Sequence, residues 1–260
     1  MAQALIKGLI HSKLISNDKI FASNRTPGKL IKLKENFQIQ TKELNEEIVE
    51  ICDIVVLAMK PQDLPAAISS LASQFNENQI VISLAAGISF NVLNKLIPIG
   101  RVVRLMPNTP SLIGKGLIGV ISARKDEALM DIIKSISSGL GKVIEVENED
   151  QFDSLMIACS SGTGFLFELM LYWQDWITER GFSPEIAKDM TIETFLGAAM
   201  LASESKHIDL EELQQRVTSK KGVTFAGLNS MRELEIERTL RISFEKAAMR
   251  AKEINRQTLV

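Results

Sequence analysis

Apolar positions along this chain change their period after Val146, and the change divides it into two parts. Ala2, Leu5, Ile6, Leu9 and Ile10 recur at helical spacing, so the chain opens inside an amphipathic helix. Short β-rich runs then alternate with helical patterns. Strands are expected at 19–23, 37–40, 53–59, 79–84, 101–106, 117–122 and 142–146. Helices are expected at 27–35, 45–51, 61–75, 90–96 and 126–138, the first of them with Pro27 in its opening turn. After Asp53 the strand is continuously apolar to Met59, as a parallel strand buried on both faces must be. Repeated units of this size predict a doubly wound parallel sheet. Past the acidic run Glu145, Glu147, Glu149, Asp150 and Asp153 no strand pattern remains. Residues 151–160, 165–180, 184–203, 210–217 and 234–256 all carry helical periods with wide apolar stripes, which calls for burial against a second copy. Two domains follow: an α/β Rossmann-like domain over 1–149 and an all-helical substrate and dimerisation domain over 150–260.

Within this pattern one stretch organises the first half: Arg104-Leu105-Met106-Pro107-Asn108-Thr109-Pro110. A buried strand runs into two prolines, which lack an N–H and force the backbone out of the sheet. An amide and a hydroxyl are thereby held in a stiff corner past a strand's carboxyl end. Open α/β sheets bind their ligands at such ends.

Composition narrows the chemistry. A net charge of −2 over 260 residues gives no footing for nucleic acid or a membrane surface. Cys52 and Cys159 stand far apart, without partners at metal spacing, and read as free thiols. His11 and His207 lie in polar surroundings, so a metal site or a histidine-based triad is not expected. No targeting segment is evident, and the uncharged run 154–167 is too short to span a bilayer. The reading is cytoplasmic.

A doubly wound sheet suggests a nucleotide, whose signature is a Gly-rich strand-to-helix turn. The literal match, Gly114-Lys115-Gly116-Leu117-Ile118-Gly119, is followed by β-like Val120-Ile121-Ser122 rather than a helix, so it reads as a loop entering a strand. If the opening helix is the first of such a fold, the first strand and phosphate turn are absent from this chain. Weak NADPH binding by the chain as it stands is the expectation. The next strand ends in Ser23-Asn24-Arg25, where an acid would hold the ribose of NAD. A hydroxyl, an amide and a guanidinium stand there instead, which favours the 2′-phosphate of NADP over NADH.

These blocks resemble those of the pyrroline-5-carboxylate reductase family, over essentially the whole chain. The resemblance is carried by Met1-Ala2, Ser23-Asn24-Arg25, Val55-Val56-Leu57-Ala58-Met59-Lys60-Pro61-Gln62 and Ser83-Leu84-Ala85-Ala86-Gly87-Ile88. It continues through the 104–110 heptad, Ser161-Gly162-Thr163-Gly164, Gly197-Ala198-Ala199-Met200-Leu201 and Val217-Thr218-Ser219. It implies NADPH-dependent reduction of 1-pyrroline-5-carboxylate to L-proline by hydride transfer to a cyclic imine. Met1 and Ala2 match the end of the family's Gly-rich turn. Ser23, Asn24, Arg25 and Asn45 would hold the cofactor's adenosine end, and Ala58, Met59, Lys60 and Pro61 its ribose and pyrophosphate. Ala85 and Ala86 would lie beside the nicotinamide. Asn108 and Thr224 are the implied catalytic residues, Asn108 at the carboxamide or substrate edge and Thr224 near the ring nitrogen. Ser161, Gly162, Thr163 and Gly164, with Ser219, Gly222, Val223 and Thr224, would hold the substrate carboxylate from the helical domain of a dimer partner. Tyr172, Trp173 and Trp176 read as core or dimer contact.

Two departures qualify the resemblance. The family's Ser-Pro-Gly-Gly-Thr-Thr is here Ser219-Lys220-Lys221-Gly222-Val223-Thr224, and Phe165-Leu166 replace Pro-Ala. Loss of glycine could alter a backbone nest that needs positive φ. The two lysines either strengthen carboxylate binding or are merely solvated; both readings stay open. A β-hydroxyacid-type dehydrogenase, with Lys188 or Lys206 as its lysine, and a non-catalytic scaffold are the alternatives.

Overall fold

The computed structural model describes residues 1–123 and 126–258. Contacts divide the chain into two units. The first is Met1–Ser161 together with the end of the last helix from Ala247, and the second is Gly162–Lys246.

The first unit opens with α1 (Ala2–His11), which buries Ala4, Leu5, Ile6 and Gly8. β1 (Phe21–Ser23), α2 (Pro27–Phe37), β2 (Gln40–Lys42) and α3 (Asn45–Ile51) follow. Next come β3 (Ile54–Leu57), α4 (Leu64–Ser69), β4 (Ile80–Ser83), α5 (Phe90–Leu96), β5 (Arg101–Met106), β6 (Gly116–Ser122), α6 (Glu127–Ser137), β7 (Gly141–Glu145) and α7 (Glu149–Met156). Local chemistry sets several of these bounds. Gln38 takes φ +54 and stops α2, so β2 starts at Gln40 rather than at 37. Asp126 and Asn148 accept N–H groups of Leu129 and Gln151 and cap α6 and α7. The helix expected over 61–75 is α-helical only across Leu64–Ser69, where the Ser69 hydroxyl turns back to the Ala66 carbonyl.

The expected single parallel sheet is instead two. β1 and β2 pair in parallel, and β3-β4-β5-β6-β7 form a second sheet. Among the described residues no strand pairs with the free edge of β1 or of β3. Within the larger sheet β6 runs antiparallel to β5 because the 107–115 corner reverses the chain. Its α/β character stands, with helices on both faces. Val55, Leu57, Val81 and Val102 pack toward α4 and α5, while Ile82, Val103, Leu105 and Ile118 pack toward α1 and α6. Register pairs Leu57 with Ser83 and Ser83 with Arg104, so β3 and β4 end level while β5 runs on through Leu105 and Met106.

The second unit consists of α8 (Gly162–Glu179), α9 (Pro184–Glu204), α10 (Leu210–Arg216), α11 (Val223–Glu233) and the first part of α12 (Ile236–Thr258). The sequence pattern assigns no helix to 223–233, since Val223, Thr224 and Phe225 are poor helix starters. Ile177, Ala187 and Thr191 are buried in this unit, yet Phe167, Leu171, Trp173, Trp176, Met200 and Leu201 are exposed. An apolar surface of that extent is a surface made to be covered.

Stability measurements test two of these contacts. A Cβ on Gly8 would stand 3.2 Å from the Gly139 carbonyl carbon, where backbone cannot yield. Gly8→Val is expected to cost about 1–3 kcal/mol in urea unfolding. The Leu129 N–H, and then Arg101, hold the Asp126 carboxyl below its ordinary value of 3.8. A depressed folded pKa contributes stability above the unfolded value that is lost as pH falls through the folded one. Asp126→Asn keeps the cap, so its melting temperature should fall less steeply than the native protein's as pH drops below about 4.

Candidate active site

The site is built from strand exits. At the end of β1 the Ser23 hydroxyl donates to Asn45 Oδ1 at 2.7 Å, and Asn24 Oδ1 accepts the Thr26 N–H at 2.9 Å, a local Asx turn. Arg25 is 82% exposed and reaches Asp63 Oδ2 at 3.2 Å, which brings the exit of β1 to the segment following β3. Ser23, Asn24, Arg25 and Asn45 are thus gathered at one place. A solvated ion pair of this kind is worth at most about 1 kcal/mol, so the guanidinium is available to a stronger anion. This hydroxyl, amide and guanidinium set fits a phosphate monoester.

The other exits carry small or exposed groups. Beyond β3, Ala58 and Lys60 are exposed and Met59 and Pro61 half-buried. Beyond β4, Ala85 is buried with its N–H on the Ser83 hydroxyl at 3.3 Å, and Ala86 is exposed. A methyl is the largest side chain at either alanine, and at the exposed Ala86 a flat ring can approach the backbone. Met1 is exposed and Ala2 half-buried at the start of α1. The glycines of 114–119 end a 3₁₀ turn and enter β6, as the sequence pattern indicated.

The corner after β5 behaves differently from the expectation. Asn108 is buried, and its amide is engaged at both ends. Its Oδ1 accepts the Leu117 N–H at 3.0 Å, and its Nδ2 donates to the Cys159 carbonyl at 3.1 Å. Cys159 lies in a π-helical turn, Ile157–Ser161, that links α7 to α8. Asn108 therefore ties the corner to the segment leading into Ser161, Gly162, Thr163 and Gly164.

Arg104 opens the heptad, but the sequence pattern gives it no role of its own. Its side chain is 2% exposed within β5. Nη1 donates to Glu149 Oε1 at 2.6 Å, Nη2 stands 3.7 Å from Asp153 Oδ1, and the guanidinium carbon lies 4.3 Å from the Phe152 ring centre. Glu149 Oε1 also accepts the Phe90 N–H at 2.8 Å. Burial lowers the Arg104 pKa while Glu149 and Asp153 raise it, and burial first raises that of Asp153. An arginine inside a strand whose other central members are apolar was the available signal.

In the second unit, Ser219 to Gly222 form a turn closed by the Gly222 N–H on the Ser219 carbonyl at 3.0 Å, and Gly222 caps α11. Thr224 and Val223 are exposed in its first turn. Lys221 takes φ +60, so the left-handed backbone that glycine favours is kept with lysine in its place. Trp173 stacks edge-on with Phe195 and Arg180 lies over Trp176, both on the exposed helices.

Residues 149–254 match the family described as pyrroline-5-carboxylate reductase dimerisation, and residues 1–87 the one described as NADP oxidoreductase, coenzyme F420-dependent. The former supports homo-oligomerisation through the helical part. The pyrroline-5-carboxylate reductase of Pseudomonas aeruginosa is 33% identical over 259 residues, 99% of this chain and 94% of its own. The Coxiella burnetii pyrroline-5-carboxylate reductase structure aligns with a TM-score of 0.90 at 30% identity, over 97% of this chain and 94% of that one. The Plasmodium falciparum pyrroline carboxylate reductase, solved with NADP bound, shares the fold with a TM-score of 0.85 at 22% identity, over 97% and 94%. Similarity that spans the sheet, the corner and the helices together means that this chain belongs to the pyrroline-5-carboxylate reductase family.

Proposed function

We propose that this protein reduces 1-pyrroline-5-carboxylate to L-proline with NADPH, the closing step of proline biosynthesis, as a cytoplasmic homodimer or larger homo-oligomer. The observation that carries the reading is the gathering of Ser23, Asn24, Arg25 and Asn45 beside strand exits that carry only small groups at 85 and 86. Ser23, Asn24 and Arg25 would hold the 2′-phosphate, Arg25 exchanging Asp63 for it. Met1, Ala2 and the 58–61 segment would line the pyrophosphate and ribose. Bound there, the reduced nicotinamide supplies a hydride.

The chain's own residues then have a modest task. Ala86, exposed beside the buried Ala85, leaves room for the ring. The 161–164 and 219–224 backbones would hold the substrate carboxylate, the second contributed by the partner subunit, and the Thr224 hydroxyl would stand near the imine nitrogen. A protonated cyclic imine is already electrophilic, so orientation does most of the work. His11 and His207 are both exposed and outside the gathered residues, in keeping with a reaction that needs no histidine. The helical run Glu149–Glu179 is long and apolar enough by length and composition to cross a bilayer. Lying within the dimerisation match, its exposed face is assigned to the subunit contact.

Substituted proteins test this directly. Arg25→Ala should weaken NADPH about tenfold and NADH less than about twofold in titration; equal losses would remove the 2′-phosphate role. Lys221→Gly should raise stability by about 1 kcal/mol by relieving the left-handed lysine. If the lysine also attracts the carboxylate, the same variant raises KM for the imine and leaves that for NADPH unchanged. An unmoved imine KM means a solvated lysine. Failure of the native protein to oxidise NADPH with pyrroline-5-carboxylate would end the proposal.

A further inference from the structure

Two side chains from the β5 strand and its corner reach the two ends of a single segment. Arg104 grips Glu149, the first residue of α7, at 2.6 Å. Asn108, four positions on, grips the Cys159 carbonyl in the π-helical turn that follows α7, at 3.1 Å. Phe152 and Met156, between them, are buried. The 149–161 segment is therefore fastened at its head, along its length and at its tail. Within that π-helical turn the Cys159 carbonyl accepts the Asn108 amide. At the head, Glu149 Oε1 shares itself between Arg104 and the Phe90 N–H, and so also anchors the far end of the 84–89 turn. The near end of that turn, Ser83, is paired in register with Arg104 itself.

We propose that Arg104 and Asn108 are positioning residues, two struts that set the Ser161 backbone at a fixed offset from the Ala85–Ala86 turn. Asn108 is thereby assigned a role through Cys159 and not a contact with reacting atoms. The proposal rests on the reading above that 161–164 holds substrate and 85–86 borders the nicotinamide. Its geometric half stands apart from that reading.

Asn108→Asp keeps the acceptor for Leu117 and replaces the donor to Cys159 with an oxygen that repels it. Glu149→Gln keeps the shape of the head contact and removes its charge. Hydrogen exchange on the purified chain without ligand should speed about tenfold at 157–162 in each variant, with β4 and β5 amides still protected. In turnover, KM for pyrroline-5-carboxylate should rise about tenfold while the NADPH dissociation constant stays within about twofold. Unchanged exchange at 157–162, or imine and NADPH constants moving together, would overturn the assignment. Where one variant also loses protection in β4 and β5, the other variant decides. The same loss in both makes the contacts general stability elements and overturns it too. A native protein with no turnover defeats the proposed reaction, while the exchange result still decides the struts.

Discussion

A guanidinium enclosed within a sheet strand is the constraint on which this molecule's first unit depends. Arg104 cannot shed its proton, so its charge must be met where it lies. Glu149 and Asp153 meet it, and Phe152 covers its face. Removing one partner of such a pair typically costs about 3–5 kcal/mol, because the other is left buried and uncompensated. The demand dictates geometry: α7 must lie against β5. Contacts accordingly keep α7 with the sheet and divide the chain at Ser161, although the dimerisation match begins at 149.

From that fixed point the strand exits acquire their order. Parallel pairing makes β3 and β4 end level, with β5 running on to Met106, and each then delivers a different kind of surface. Polar and cationic groups gather at the β1 exit and alanines follow β4. The doubly engaged Asn108 follows β5. The charged groups among them, Arg25 with Asp63 and Lys60, stand at the β1 and β3 exits. A reaction that asks mainly for two flat rings in register is served by such a place, since rigidity of backbone counts for more there than any titrating side chain.

Much of this architecture was legible in residue order. The 3.6-residue pattern of Leu5, Ile6 and Leu9, and the unbroken apolar run before Ala58, set element types correctly because each period reports a local geometry. Asn45–Ile51, Phe90–Leu96 and Arg101–Met106 appear with the expected bounds. Where the pattern misled, a cause acting locally but invisible in hydropathy had intervened, as with the left-handed Gln38 that delays β2. The division of the sheet and the reversed β6 were beyond it, because strand partnership is decided between residues distant in the chain.

The sequence by itself determined an α/β first part, a helical second part, a stiff proline corner and a phosphate-friendly Ser-Asn-Arg. These depend on spacing and side-chain type, which neighbours in the chain already possess. Only the tertiary structure decided what the corner's amide does. Asn108 meets Cys159 across 51 positions, and Arg104 meets Glu149 across 45. A hydrogen bond or buried ion pair of that span exists only once the intervening chain has folded, since burial supplies both its strength and the penalty for leaving it unmade.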